Sequence, residues 1–287
     1  MLSIKVDVNV KTPVVVRLTD HDGTPVVPIL AAIADPIHTF SIPIKNPQKW
    51  TAETPYLYQL TLSVGDSCTV EQRVGFRNSE LKNGIFLVNG NPTIFRGVNR
   101  HEHHPDSGRA VPYEFLKRDL LLMKAHNINA IRTSHYINDT RLYDLADELG
   151  FWILDECDLE CHGFGEIGGD PASWASDNPL WKAAYVDRAR QAVTRDKNHA
   201  SVIMWSLGNE AFYGRNHQAS GYSIVALSMK VLINFKCMIS SKPMIQPDLY
   251  IMKPIKRHKL LIYLAECIRR ARKLLSLQPR LRGGKSL

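Results

Sequence analysis

The chain has 287 residues, 44% hydrophobic and 22% charged, an ordinary globular composition for one or two domains. Its formal net charge of +8 divides unevenly: residues 1–218 hold 22 Lys and Arg against 26 Asp and Glu, while residues 219–287 hold 14 against 2. The mildly acidic body, without a basic stripe, excludes a nucleic-acid partner. Five scattered cysteines exclude a disulfide framework or paired zinc knuckles, and no apolar window reaches the roughly 18 residues of a spanning helix.

The N-terminus MLSIKVDVNV alternates instead of carrying a signal peptide's apolar core. Ile4, Val6, Val8 and Val10 alternate with Lys5, Asp7, Asn9 and Lys11, the period of a half-buried strand, and Asp20 to Gly23 reads as a turn. Tyr58, Leu60, Leu62 and Val64 repeat the pattern, and after Gly65-Asp66 the residues Cys68, Val70 and Val74 keep one face apolar. Residues 1–80 are therefore predicted to form an all-β unit, most simply a sandwich, whose opening without a lead-in is expected of a truncated start.

From residue 81 the pattern changes. GIFLVNGNPTIFRG predicts a hairpin turning at Asn89-Gly90, followed by a strand over 94–98. Pro112 opens a helix with Leu116, Leu120 and Met123 on one face, and 128–133 is a strand. Asp139 caps a helix carrying Leu142, Leu145, Ala146 and Leu149 and stopped by Gly150; 151–156 is a third strand. A Gly-, Pro- and Ser-containing loop leads to a helix over about 180–197. The run SVIMWSLGNE then predicts a buried strand aiming Glu210 at its exit, because a continuous apolar run suits a strand covered on both faces. Four β-α steps make residues 81–218 the first half of a (β/α)8 barrel, an α/β architecture.

Polar residues collect at the C-terminal end of every strand, where barrel enzymes place their chemistry: His101-Glu102-His103-His104, His135-Tyr136, Asp155-Glu156 with Glu160-Cys161-His162, and Asn209-Glu210. Each alone has a bland alternative, a solvated loop for the first and a satisfied core histidine for His135. Glu160, His162 and Glu210 supply two carboxylates and an imidazole. Such oxygen-dominated ligation suits Mg²⁺, or Mn²⁺, more than zinc, with Cys161 pointing away. A carboxyl group at a barrel mouth beside an amide and histidines suits acid-base work on a hydroxyl-rich substrate.

The motifs NGNPTIFRGVNRHEHHPDSGRAV, INAIRTSHY, FWILDECDLECHGF and RDKNHASVIMWSLGNEAFYGRNH resemble glycoside hydrolase family two, specifically its β-galactosidases (lactases) of fungal type, over about residues 1–218. The resemblance implies retaining hydrolysis of terminal β-D-galactosides such as lactose by a cytoplasmic enzyme, homo-oligomeric at full length. By motif, Glu210 matches the general acid/base, Asn209 the residue contacting the sugar 2-hydroxyl, and His101 and His135 residues contacting the galactosyl group. Glu160, His162 and Glu210 match magnesium ligands. In the family a jelly-roll, expected to have no counterpart here, precedes an immunoglobulin-like sandwich, the form the resemblance implies for residues 1–80, and the nucleophile is a glutamate on a seventh strand that the chain is not expected to reach. A β-glucuronidase or β-mannosidase relative, and an inert or merely sugar- or metal-binding fragment, are the alternatives.

Residues 219–287 carry no family motif and read as a non-homologous basic tail, in which KLLIYLAECIRRARKLLSL has the pattern of a basic amphipathic helix. Its only carboxylates, Asp248 and Glu266, lack a strand-end setting. The abrupt basicity suggests read-through of non-coding or frame-shifted sequence, with a membrane-surface helix as the functional alternative.

Overall fold

The computed structural model describes residues 1–66, 68–228, 233–237 and 249–250. The amphipathic helix expected in the tail, and Asp248 and Glu266, lie outside the described residues.

The first unit is built from strands β1 (Leu2–Val8), β2 (Thr12–Thr19), β3 (Leu30–Ala34), β4 (Ile37–Ile42), β5 (Tyr58–Val64) and β6 (Cys68–Val74). Alternation does what period-2 patterning requires: Leu2, Ile4, Val6 and Val8 are buried and their neighbours are not. Val10, expected to continue the series, lies beyond the end of β1 and is exposed. One sheet pairs β1 with β4 in antiparallel register and, on its other edge, with a parallel strand β14 (Ile233–Cys237), itself flanked by β15 (Leu249–Tyr250). The second sheet runs β3-β2-β5-β6, all antiparallel. Val14, Leu18, Leu60 and Leu62 from the second sheet meet Ile4 and Phe40 from the first in one core. Each such side chain contributes about 1.5–3 kcal/mol on leaving water.

A meander of β7 (Ser79–Lys82), β8 (Ile85–Val88) and β9 (Asn91–Pro92) leads onward, with the predicted turn at Asn89 (φ 53°) and Gly90 (φ 85°). The expected strand over 94–98 is displaced to β10 (Gly97–Arg100), leaving Ile94 exposed. Asn129 causes the shift. Its side-chain oxygen accepts from the Arg96 amide and its own amide donates to the Arg96 carbonyl, so the parallel ladder begins one step later, at Gly97 opposite Ala130.

From there strands and helices alternate: α1 (Tyr113–Ala125), β11 (Ala130–Thr133), α2 (Thr140–Leu149), β12 (Trp152–Glu156), α3 (Lys182–Asp196), β13 (Val202–Ser206) and α4 (Arg215–Ser228). The four strands lie in the order β10-β11-β12-β13, every pair parallel, as expected of half a barrel. Asp139 accepts from the Arg141 amide to cap α2, and Gly150 ends it in the left-handed region. A Cβ on Gly150 would stand 2.2 Å from the Ala52 carbonyl oxygen, so only glycine permits this approach of the barrel to the first unit. Lys124 Nζ and the Trp50 indole tie the same junction to main-chain carbonyls on both sides.

The helices cover one face of the sheet. Leu116, Leu120, Leu142 and Leu145 pack on Ile131 and Ile153. The opposite face borders an open cavity of about 260 Å³ lined by Ala130, Trp152, Leu154, Ile203 and Met204 among others. The barrel half continues as α4 across residue 218, where the sequence pattern breaks off, because Asn216 donates to the Ala175 and Asn178 carbonyls and Ile224 packs on Ala189, Ala192 and Val193 of α3. Ser220, Gly221 and Ser223 dilute the apolar face that would have revealed this helix. Among the described residues no helix is long and apolar enough to cross a membrane.

Candidate active site

The parallel register sets the strand ends level: Arg100 lies opposite Thr133, and Glu156 opposite Ser206. Period-2 alternation then sends neighbouring side chains to opposite faces. On β12, Asp155 turns toward the helices, where Tyr143 Oη and Thr133 Oγ1 donate to its Oδ1 at 2.6 and 3.2 Å. Burial, reinforced by the nearby Asp196 carboxylate, raises its pKa well above the usual carboxyl value. Glu156, one residue on, turns to the other face and is fully buried.

Glu156 is the hub of that face. Its Oε1 accepts from His135 Nδ1 at 2.7 Å; its Oε2 accepts from Arg132 Nε at 2.7 Å and from Ser206 Oγ at 2.5 Å. Arg132 Nη2 donates onward to Asn209 Oδ1 at 2.9 Å, and Asn209 Nδ2 donates to Glu160 Oε2 at 2.7 Å. The peptide bond before His135 is cis. The His135 ring meets that of His101 edge-on at 5.2 Å. Partial desolvation, with His135, His103 and Arg109 nearby, lowers the pKa of His101.

The exit of β13 is built for close approach. Gly208 (φ 129°) lies on Leu159, where a Cβ would stand 2.5 Å from that residue's Cβ and carbonyl oxygen. The Asn209 amide donates to the Leu159 carbonyl, and Asn209 bridges Glu160 in parallel. Glu210 follows with φ 34°, a conformation a side chain rarely adopts outside a constrained site, and its Oε2 lies 3.0 Å from His162 Nδ1. Both side chains are more than half exposed. Cys161 points away, into an apolar cluster beside Tyr185.

Of the residues anticipated from sequence, Glu210 and His162 meet directly, Asn209 and Glu160 meet directly, and His101 and His135 meet ring to ring. The HEHH run divides by role: Glu102 is buried, accepting from the Asp139 amide, and His104 Nδ1 accepts from the Asp106 and Ser107 amides within its own loop. Sequence reasoning missed Arg132 and Ser206 and named Glu156 only as part of a polar strand exit. Alternation along β12 was the available signal for its inward direction.

The donor chemistry of Glu160, His162 and Glu210, two carboxylates and one imidazole, fits a hard divalent cation; Glu210 meets His162, while Glu160 meets Asn209. Among the described residues no three His, Cys, Asp or Glu side chains already converge on one point.

Comparison with known proteins agrees with this fold. The profile for the glycosyl hydrolases family 2 TIM barrel domain matches residues 79–241, and that for glycosyl hydrolases family 2 matches residues 2–77. The chain belongs to glycosyl hydrolase family 2. It is 49% identical over 220 residues to a beta-galactosidase of Kluyveromyces lactis, covering 69% of this chain and 22% of that protein. A beta-galactosidase of Pseudoalteromonas haloplanktis is 50% identical over 184 residues, 62% of this chain and 17% of that one. The chain thus spans about a fifth of the length of these family 2 relatives. Among solved structures, a b-glucuronidase from Ruminococcus gnavus in complex with C6-substituted uronic isofagomine superposes with a TM-score of 0.62 at 28% identity, over 76% of this chain and 36% of that one.

Proposed function

We propose that the chain carries the acid/base half of a retaining β-galactosidase acting on terminal β-D-galactosides such as lactose. The carrying observation is Glu210: an exposed carboxyl at the exit of the fourth barrel strand, paired to His162 and adjacent to the held Asn209 amide. Galactose is favoured over glucuronate because identity to the galactosidases approaches one half, whereas identity to the superposed glucuronidase is 28%.

In this reading Glu210 donates its proton to the leaving glycosidic oxygen and later takes one from water, while Asn209, His101 and His135 contact the sugar. Retention needs a second carboxylate about 5 Å from the first. Among the described residues Glu156 does not fill that role, because its oxygens already accept from Arg132, His135 and Ser206. Asp155 does not either, since it faces the helices. We therefore expect this chain by itself to bind but not turn over its substrate. Glu160, His162 and Glu210 would hold Mg²⁺, or Mn²⁺, which would supply fixed positive charge beside the acid/base carboxyl. Free thiols at Cys68, Cys157 and Cys161 support a reducing, cytoplasmic setting.

The test combines equilibrium dialysis of galactose and glucuronic acid, with and without Mg²⁺, and hydrolysis assays on matched aryl β-galactoside, β-glucuronide and β-mannoside, each with Glu210→Gln beside the native chain. Galactose retained in preference to glucuronic acid, without turnover, is expected. Preference for glucuronic acid overturns the substrate. Turnover abolished by Glu210→Gln would place a nucleophile in the chain after all.

A further inference from the structure

We infer that Glu156 is the positioning residue of the sugar site: its buried carboxylate accepts from His135, holding that ring in one tautomer, and from Arg132, which in turn holds Asn209 in one amide orientation. The inference deepens the proposed function and rests on that reading for the ligand alone.

Three observations carry it. First, Glu156 is fully buried yet fully engaged, accepting from three side chains: Arg132 on β11, His135 just beyond its end, and Ser206 on β13. A buried carboxylate is costly unless paired and hydrogen-bonded, and here both conditions hold. Second, an ionised carboxylate only accepts, so the 2.7 Å contact requires a proton on His135 Nδ1. Arg132 Nη2 also lies 3.4 Å from that nitrogen, which would favour a bare Nδ1, but the carboxylate is nearer and a lone pair facing it would be repulsive. His135 is therefore held as the Nδ1–H tautomer, leaving Nε2 to meet a ligand hydroxyl. Third, Arg132 is fixed to Glu156 by Nε and spends Nη2 on Asn209 Oδ1, which turns the Asn209 amide so that its Nδ2 reaches Glu160. One carboxylate thereby sets the polarity of two groups proposed to touch the sugar.

The experiment is ¹H–¹⁵N correlation of the histidine rings in the full chain, with His135 assigned by its loss in His135→Asn. In the native chain near neutral pH the His135 signals should be those of the Nδ1–H form. In Glu156→Gln they should move toward the Nε2–H form, with galactose affinity falling about 10-fold or more, because a charged hydrogen-bond partner is lost. Ser206→Ala, which leaves the His135 bond in place, should keep the native tautomer. An Nε2–H ring in the native chain, a requirement that survives even if Glu156→Gln fails to fold, overturns the inference. So does a tautomer unmoved in a folded Glu156→Gln. If neither protein binds galactose, the substrate reading fails while the ring-nitrogen result still decides the role of Glu156.

Discussion

The β-sandwich and the barrel half bury apolar surface by different routes. In the sandwich two sheets face one another, and Leu60, Leu62 and Val14 on one close completely against Ile4 and Val6 on the other. In the barrel half the helices seal only the outer face, and Leu154 and Met204 on the inner face border open space. A two-layer sandwich supplies both walls of its core. A curved parallel sheet supplies only one wall for its interior and needs further strands opposite for the other.

Truncating one residue on each side breaks the comparison most directly. Leu60→Ala in the closed core should cost about 2–5 kcal/mol, whereas Leu154→Ala beside the open cavity should cost under about 1.5 kcal/mol, because little neighbouring packing is lost there. Urea unfolding midpoints at matched slopes check both, and equal losses would mean that the inner face is covered in solution.

The buried acid behind the barrel sheet sharpens the contrast by pH. Burial and Asp196 raise the folded pKa of Asp155 above its unfolded value, so the folded state keeps a proton that the unfolded chain has lost. That contribution is fully present below the unfolded pKa and is lost as pH rises toward the folded one, at up to about 1.4 kcal/mol per pH unit. Asp155→Asn should flatten this slope, measured as unfolding free energy while pH rises from the ordinary carboxyl range; an unchanged slope would assign it to another group.

The smallest expected effect is at the rim. Glu210→Gln alters a contact between two side chains that are both more than half exposed, and stability should change by less than about 0.5 kcal/mol. Thermal unfolding checks this, and a larger loss would make Glu210 a structural residue in place of a functional one.

Sequence alone determined the sandwich pattern of β1 and β5, the Asn89-Gly90 turn, the cap and stop of α2 at Asp139 and Gly150, and the strand that aims Glu210. Each is a local rule, period 2, positive φ or end-group satisfaction, acting within a few residues. Only the tertiary structure decided the start of β10, set by Asn129 some 30 residues away in the chain. It alone carried α4 beyond residue 218 and divided HEHH into a histidine that meets His135 and two groups that accept from backbone amides. It also made Glu156 the hub while Asp155 beside it became a buried acid. Those outcomes depend on which face of a strand a side chain leaves from and which distant partner waits there. A linear pattern records the first only where alternation is unbroken, and the second not at all.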